Sequence, residues 1–294
     1  MNQFLDCSKS CTWTSRKIAD RNCSENLAIV IGNREITICD NDGVTVVDAI
    51  YCRIVIGGGR GEIIKGFIDF RHQPILFLGM DIQVNLAYSS SRMASNRLTR
   101  NQVEEMYRTK RLTASFEPTK VDDIVEMMNH FICMRYVVDN ITAPLTVSFV
   151  KQVHHFLTYG TYADQNHKTG VGEFRIKPDK LGIPPQQINK AVADLIKIYE
   201  RKAAKLEQIL AFHVQFERIH PFDDYNGRVG RILMVKECLR YGIDPFVIDD
   251  KRRGEYNRGI ARWDTNPEIL QKVVCEAQKR FQNKLDTCRL IIEQ

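Results

Sequence analysis

The chain has 294 residues, enough for one large domain or two modest ones. Hydrophobic residues make up 44% and charged residues 27%, proportions that are ordinary for a globular protein and exclude an intrinsically disordered one. The formal net charge is +6, and the basic residues are spread along the chain. No clustered basic face of the kind that nucleic-acid binders carry is evident.

The nine cysteines are scattered and form no CxxC pair, so no zinc site is predicted. This usage fits a reducing cytosol, and we expect a cytoplasmic protein. The first residues lack a basic start followed by an apolar run, so no secretory signal is expected. No apolar run approaches the roughly 18 residues of a membrane span.

Residues 27–79 consist of short β-type runs separated by turn signals. The runs are LAIVI, REITIC, VTVVDAIYCRIVI, EIIKGFIDF and PILFLGM. The triplet Gly57-Gly58-Gly59 lacks the Lys-Ser/Thr ending of a phosphate-binding P-loop, which favours a plain loop connection. We therefore predict a small β-rich region over residues 1–80, without a role that the sequence reveals.

Helical periodicity dominates from about residue 84 onward, where apolar residues recur every three or four positions. The helical runs include VEEMYRTKRL, VDDIVEMMNHFICMRYVVDN, LTVSFVKQVHHFL, INKAVADLIKIYERKAAKLEQILAFHVQFERI, VGRILMVKECLRYG and PEILQKVVCEAQKRFQNKL. We divide this part into a helical segment over residues 81–118 and a core with C-terminal helices over residues 119–294.

One stretch of twelve residues, HPFDDYNGRVGR from His220 to Arg231, combines parts that phosphate chemistry uses. An apolar helix ends at a histidine before proline, the turn pair Asn226-Gly227 follows, and a second apolar helix begins near Arg228. A loop that leads into a helix N-terminus presents free N–H groups and the positive end of the helix dipole, which bind phosphates.

Four side chains of this stretch can act together. Arg228 and Arg231 are three residues apart and share a helix face, so their guanidinium groups suit a polyphosphate. Asp224 can hold a magnesium ion that bridges two phosphates, and His220 can serve as a general base. Each residue alone also has an ordinary interpretation, as a helix end, a turn or a solvated surface group. Their ordered combination favours phosphoryl-type transfer.

HPFDDYNGRVGR resembles the Fic-family signature HPFx[D/E]GNGRxxR and matches eight of its nine fixed positions. The segments LTVSFVKQVHHFL, GEFRI followed by IPP, and VKECLRYGIDPFVIDD with YNRGIARW are also similar to that family. The resemblance covers roughly residues 84–285. It implies a mainly α fold, a Fic-type helical bundle with a β-hairpin flap, here preceded by the β-rich region.

The resemblance implies a protein adenylyltransferase that moves AMP from ATP to a Ser, Thr or Tyr hydroxyl of a target protein. In the family the motif histidine, here His220, deprotonates this hydroxyl, and pyrophosphate leaves from the attacked α-phosphate. Asp224 would ligate Mg²⁺, and Phe222 would anchor the loop in the core. The nucleotide would contact Asn226, Gly227, Arg228, Gly230, Arg231, Tyr256 and Asn257.

A target segment would add as a strand to the flap, which consists of Gly172, Glu173, Phe174, Arg175 and Ile176. An ordinary surface loop is the alternative interpretation of these residues. Self-modification and homodimer formation are left open, whereas membrane and nucleic-acid partners are not expected because neither a span nor a helix-turn-helix is evident.

Tyr225 departs from the signature, since it replaces the glycine beside the phosphate cradle. Glycine tolerates positive φ and lets a backbone approach phosphate closely. Tyrosine either crowds the nucleotide or points its ring to solvent. Family members with alanine at this position include phosphocholine transferases and kinases, so transfer of UMP, phosphocholine or phosphate stays an alternative. A non-catalytic nucleotide-binding interaction module is a further one.

The segment SSRMASNRLT, which begins at Ser90, resembles the family's inhibitory motif SSxIEGNxLT. Ala94 occupies the glutamate position and Ser95 the glycine position. In the family this glutamate pairs with the second motif arginine, here Arg231, and displaces the γ-phosphate. Alanine cannot form a charge-assisted pair, so we expect the helix to remain without inhibiting the enzyme.

Overall fold

The computed structural model describes residues 28–31, 35–40, 43–48, 73–113, 118–166, 169–201 and 205–292, with side chains between residues 81 and 284. The chain divides into two compact units, Met1–Cys52 and Arg53–Gln294. Each unit is described by itself.

The first unit contains three strands, β1 (Ala28–Ile31), β2 (Glu35–Asp40) and β3 (Gly43–Asp48). They form an antiparallel sheet in the order β1-β2-β3. Residues 49–56 of the predicted run VTVVDAIYCRIVI and the whole predicted run over residues 62–70 lie outside the described residues. The β-rich region over residues 1–80 as a whole therefore stays a prediction.

The second unit is mainly helical, as the sequence predicts. Its helices are α1 (Gln73–Met93), α2 (Arg100–Thr109), α3 (Val121–Asp139), α4 (Val147–Thr158), α5 (Tyr162–Asn166), α6 (Pro185–Glu200), α7 (Leu206–Ile219), α8 (Asn226–Arg240), α9 (Arg253–Ala261) and α10 (Glu268–Ile292). A short 3₁₀ helix, Asp250–Arg252, leads directly into α9. Among the described helices, none is long and apolar enough to span a membrane.

The prediction of a strand over PILFLGM is wrong, because residues 74–80 lie in α1. A short apolar run does not distinguish a strand from a buried helix segment by periodicity. Pro74 stands at the second position of the helix, where its missing N–H has no helical partner to lose. The run then continues without interruption into the helical pattern that follows it.

The predicted β-hairpin flap is also wrong, since residues 172–176 form no strand. Their hydrogen bonds go elsewhere: the Arg175 N–H donates to Pro221 O at 2.9 Å, and the Ile183 N–H donates to Ile219 O at 3.4 Å. These two backbone N–H groups, one from each arm of the loop, thus bond to carbonyls at the end of α7 and not to the opposite arm. We call residues 172–184 the flap loop.

Helix α8 is the central helix of the second unit. Twelve of its fifteen residues are buried, and α1, α3, α4 and α7 pack around it. The burial includes four charged side chains, at Arg228, Arg231, Lys236 and Glu237. A charged group in this position has to be satisfied from within the protein.

Lys236 and Glu237 show how this is done at the far end of α8. Lys236 Nζ contacts Glu237 Oε1 at 2.6 Å and donates to the Ala143 carbonyl. Glu237 Oε2 accepts from the Tyr199 hydroxyl at 2.8 Å. Burial lowers the pKa of Lys236, and the neighbouring Glu237 carboxylate opposes that effect. The pair is therefore held together inside the core.

Lys236→Met should lower the free energy of unfolding by about 3 kcal/mol, because it removes the nearer of the two cations that face the buried Glu237 carboxylate and leaves only Arg240, at 3.3 Å. Urea unfolding followed by circular dichroism measures this change. The matched control is Lys190→Met, which removes an exposed pair with Asp194 on α6 and should cost less than about 1 kcal/mol. Equal losses in the two variants would contradict this account of the buried pair.

Candidate active site

His220 lies directly after α7 in the left-handed conformation, with φ 49° and ψ 62°. Its N–H donates to Phe216 O at 3.1 Å, which closes the helix, and Pro221 cannot continue it. Histidine is one of the few residue types enriched at positive φ. The chain therefore turns sharply at the predicted base.

The loop between α7 and α8 is fixed by one side chain. Asn226 Oδ1 accepts from Phe222 N and Asn226 Nδ2 donates to Phe222 O, both at 2.9 Å. Phe222 is fully buried, and its ring stacks on His154 with centroids 3.8 Å apart. Phe222 thus anchors the loop in the core, as the resemblance implies. Both ends of the Asn226 amide brace this loop.

Tyr225 also has a left-handed backbone, with φ 64°. Its side chain turns inward and is only 3% exposed. The hydroxyl donates to Glu126 Oε1 at 2.6 Å, and the Arg228 guanidinium lies 3.2 Å from the ring centroid. Of the two alternatives for Tyr225, a ring that points to solvent is therefore excluded. Tyrosine keeps the positive φ that a glycine would adopt easily, and the buried contacts offset a cost of about 1–2 kcal/mol.

The first motif arginine is already paired inside the protein. Arg228 Nη1 lies 2.9 Å from Glu126 Oε1, and its Nη2 lies 3.7 Å from Asp224 Oδ2. Burial opposes the low pKa of Glu126, but Arg228 and the Tyr225 hydroxyl outweigh it, so the pKa is lowered. Glu126 is therefore an anion that holds Arg228 in place. Sequence reasoning missed it, because it lies among the polar positions of α3 without any local motif.

The second motif arginine has different partners. Arg231 Nε donates to Ser90 Oγ at 2.9 Å, and Arg231 Nη2 donates to Ser90 O at 3.2 Å. Within the described part of the chain, Arg231 makes no ion pair. A Cβ on Gly227 would lie 2.9 Å from Arg231 Nη1, so glycine leaves room for the guanidinium group. The positive charge of Arg231 is thus held by neutral groups.

Gly230 was predicted to contact the nucleotide, and Asp224 was predicted to hold its magnesium ion. A Cβ on Gly230 would lie 2.7 Å from the His213 ring, so this glycine allows α7 and α8 to pack closely. The Asp224 side chain is 57% exposed, and its Oδ1 accepts from Tyr225 N at 2.6 Å. Among the described residues, no group of three or more ligating side chains is present. A single carboxylate suits Mg²⁺, which is commonly held by one or two carboxylates together with water and phosphate oxygens.

A cavity of about 230 Å³ opens at the N-terminus of α8. Its lining brings together nine predicted site residues: Ala94, His220, Asp224, Asn226, Gly227, Arg228, Arg231, Tyr256 and Asn257. Gly230 and the flap residues Gly172, Glu173, Phe174, Arg175 and Ile176 do not line it. An imidazole, a carboxylate, a helix N-terminus and two guanidinium groups therefore share one space.

A buried polar group lies beneath Arg231 and was not predicted. His213 Nε2 and the Tyr256 hydroxyl are 2.5 Å apart, so the hydroxyl of Tyr256 is committed inside the protein. Burial, with a smaller contribution from Arg231, lowers the pKa of His213 to about 3, so its ring is neutral. Burial raises the pKa of Glu217, whose Oε1 has no hydrogen-bond partner among the described groups.

The segment that resembles the inhibitory motif lies against this site. Ser90 is in α1, and Ala94 follows the helix at the cavity wall. Ser95 has φ 73°, the conformation that suits the motif's glycine. Asn96 Nδ2 donates to Asp123 O at 3.0 Å and to Glu126 Oε2 at 3.1 Å, which ties the segment to α3.

Comparison with solved structures identifies the fold. The chain is similar to a Fic domain containing signaling protein from Bacteroides thetaiotaomicron (TM-score 0.61, 20% identity, 76% of this chain and 89% of that one). It is also similar to Fic-1 from C. elegans (TM-score 0.64, 14% identity, 82% and 74%) and to a Fic family protein from Desulfovibrio desulfuricans (TM-score 0.59, 20% identity, 83% and 76%). Residues 144–238 match the model of the Fic/DOC family. Residues 144–238 are thus similar to the Fic/DOC family, and the solved structures share the helical fold.

Glu126→Gln should lower the free energy of unfolding by about 2 kcal/mol at neutral pH, because Arg228 loses a charged hydrogen-bond partner. Folding lowers the pKa of Glu126, so this stability is present above the pKa of a free glutamate and is lost as the pH falls through the lowered value. The difference in the free energy of unfolding between the starting protein and Glu126→Gln, measured by urea unfolding, should therefore become smaller as the pH is lowered.

The control for this prediction is Glu104→Gln, which removes more exposed pairs with Arg100 and Arg108. It should change the free energy of unfolding by less than about 1 kcal/mol. A difference for Glu126→Gln that is constant from neutral to strongly acidic pH would refute the assigned ion pair.

Proposed function

We propose that this protein is a Mg²⁺-dependent protein adenylyltransferase that transfers AMP from ATP to a hydroxyl side chain of a target protein in the cytoplasm. The observation that carries the proposal is the convergence of His220, Asp224, Arg228 and Arg231 on one cavity at the start of α8. Members of the Fic family are generally transferases. The specific donor and reaction assigned here are the proposal.

The start of α8 supports binding of a polyphosphate. Free N–H groups at a helix N-terminus and the positive end of the helix dipole attract phosphate oxygens. Arg231 adds a guanidinium group whose close described partners are neutral: two oxygens of Ser90 and the Tyr256 ring. The charge of Arg228 is partly neutralised by Glu126. Arg228 would therefore help phosphate binding more through the fixed position of its guanidinium group than through an unpaired positive charge.

Asp224 is suited to hold the magnesium ion. Its side chain is exposed at the cavity, and one of its oxygens is fixed by the Tyr225 N–H. When bound, Mg²⁺ would neutralise negative charge on the phosphates of the nucleotide. Asp224 also lies close enough to Arg228 for the two to share the same phosphate group.

His220 is suited to accept the proton of the attacking hydroxyl. It lies at the cavity wall beside the phosphate-binding end of α8. The flap loop passes beside it and exposes Ile176 and Leu181, which are 66% and 75% accessible. These apolar side chains offer contacts for a target segment near the base.

His220→Ala should abolish transfer while leaving ATP binding largely intact, because the side chain takes part in proton transfer and not in the phosphate contacts. Incubation with α-labelled and γ-labelled ATP identifies the transferred group. Label from the α position on protein supports AMP transfer. Label from the γ position alone indicates a kinase, and binding without any transfer indicates a nucleotide-binding module.

The control for this experiment is His155→Ala, since His155 is a half-buried histidine of α4 outside the cavity. It should retain transfer. Mass spectrometry of the acceptor protein distinguishes AMP from UMP or phosphocholine by the added mass, which tests the remaining donors.

The enzyme should be free of inhibition by its own α1 segment. Ala94 lies at the cavity wall with Arg231, and it brings no carboxylate to that guanidinium. Ala94→Glu should therefore reduce transfer by about tenfold or more, because a charge-assisted pair with Arg231 competes with the nucleotide. Ala94→Gln has nearly the same shape without the charge and should reduce it much less. Undiminished transfer by the glutamate variant would reject this part of the proposal.

A further inference from the structure

We propose that Asp179 is a positioning residue for His220, which holds the imidazole by Nδ1 and leaves Nε2 free to act as the base. The inference rests on the proposed function, because it assigns a role within the same reaction. Asp179 lies in the flap loop, well away from the signature stretch in sequence. No motif in the sequence connects the two residues.

The flap loop is bonded to three successive carbonyl groups around His220. Ile219 O accepts from the Ile183 N–H, and Pro221 O accepts from the Arg175 N–H. The carbonyl between them, His220 O, accepts from Arg175 Nε at 2.7 Å. The main chain of the base is thus enclosed between the two arms of the loop.

Arg175 makes this arrangement rigid. It is 2% exposed, and its Nη1 and Nη2 donate to Lys177 O at 2.8 Å and to Ile183 O at 2.5 Å. One guanidinium group therefore joins both arms of the loop to the His220 carbonyl. The five donor positions of arginine allow this, whereas lysine has no such fork.

Gly182 shows how closely the loop approaches the base. A Cβ at this position would lie 2.8 Å from the His220 Cβ and 2.8 Å from Ile219 O. Any other residue would push the loop away from the end of α7. The close approach brings the side chain of Asp179 within reach of the imidazole.

Asp179 uses its two oxygens for different purposes. Oδ2 lies in close contact with His220 Nδ1, although the angle there is outside the range of a hydrogen bond, and Oδ1 accepts from Leu181 N at 3.4 Å. Burial would raise the pKa of Asp179, but the Leu181 N–H and His220 outweigh it, and the pKa is lowered. The group is therefore a carboxylate at neutral pH. The carboxylate can accept a hydrogen bond from a protonated Nδ1, but it has no proton to donate to that nitrogen.

The tautomer of His220 follows from this contact. A carboxylate at Nδ1 favours the imidazole that carries its proton there, so the lone pair is on Nε2. Nε2 then takes the proton of the acceptor hydroxyl. The hydroxyl oxygen bonds to the α-phosphorus, the bond to pyrophosphate breaks, and pyrophosphate leaves with the bonding electron pair. The resulting imidazolium is stabilised by Asp179.

The test compares Asp179→Ala and Asp179→Asn with Lys180→Gln, an exposed neighbour in the same loop. Both Asp179 variants should lower kcat by about 10- to 100-fold, less than for a fully buried triad aspartate, because this pair is partly exposed. KM for ATP should change little, and Lys180→Gln should behave as the starting protein.

Nitrogen-15 NMR of the His220 ring, recorded on the full chain at alkaline pH, measures the tautomer without any turnover. The proton should be on Nδ1 in the starting protein and should shift towards Nε2 in Asp179→Ala. An unchanged tautomer together with kcat within about twofold would overturn the proposal. If Asp179 controls the tautomer but the starting protein transfers nothing, the positioning role stands and the adenylyltransferase function fails. Circular dichroism melting curves verify that each variant is folded.

Discussion

The arrangement of the site depends on one constraint: helix α8 begins inside the protein and carries its charged residues with it. A buried guanidinium group without a partner would destabilise the fold by several kcal/mol. Arg228 is satisfied by Glu126 and Arg231 by Ser90, so α3 and α1 have to lie where they do. The same charges that make the helix start attractive to phosphate thus determine how the surrounding helices pack.

This dependence joins residues that are remote in sequence. Glu126 accepts from the Tyr225 hydroxyl and from Asn96 Nδ2, in addition to its pair with Arg228. One carboxylate therefore connects the loop before α8 with the turn after α1. Tyr225, the residue that departs from the family signature, is part of this network and not an exposed irregularity. Its hydroxyl supplies a contact that glycine in the same conformation could not make.

Much of the helical unit could be predicted from the sequence, because apolar periodicity reflects a local physical requirement of amphipathic helices. The stretch from His220 to Arg231 was equally accessible, since its residues are neighbours in the chain and converge on the cavity. PILFLGM was mistaken for a strand because a short apolar run satisfies both patterns. The flap was expected to pair with itself, and instead its donors satisfy the carbonyls at the end of α7.

Glu126 and Asp179 could not be predicted for a different reason. Each acts through a contact across a large sequence separation, and no motif position marks either residue. Only the packing of α3 against α8, and of the flap loop against the end of α7, brings these carboxylates to their partners. A sequence motif shows only site residues that are close together in the chain. Residues that contact the site from distant parts of the chain become visible only in the tertiary structure.

The bonding of Ile219, His220 and Pro221 to the flap loop has a consequence for how this protein can change during evolution. A loop that only borders a site can be lengthened or exchanged without disturbing the chemistry behind it. Here the same loop holds the backbone of the histidine in place by hydrogen bonds. At Gly182 the loop lies so close to the histidine that there is no room for a side chain. Insertions in the loop would therefore displace the histidine, so the length of the loop and the position of the His220 backbone can change only together.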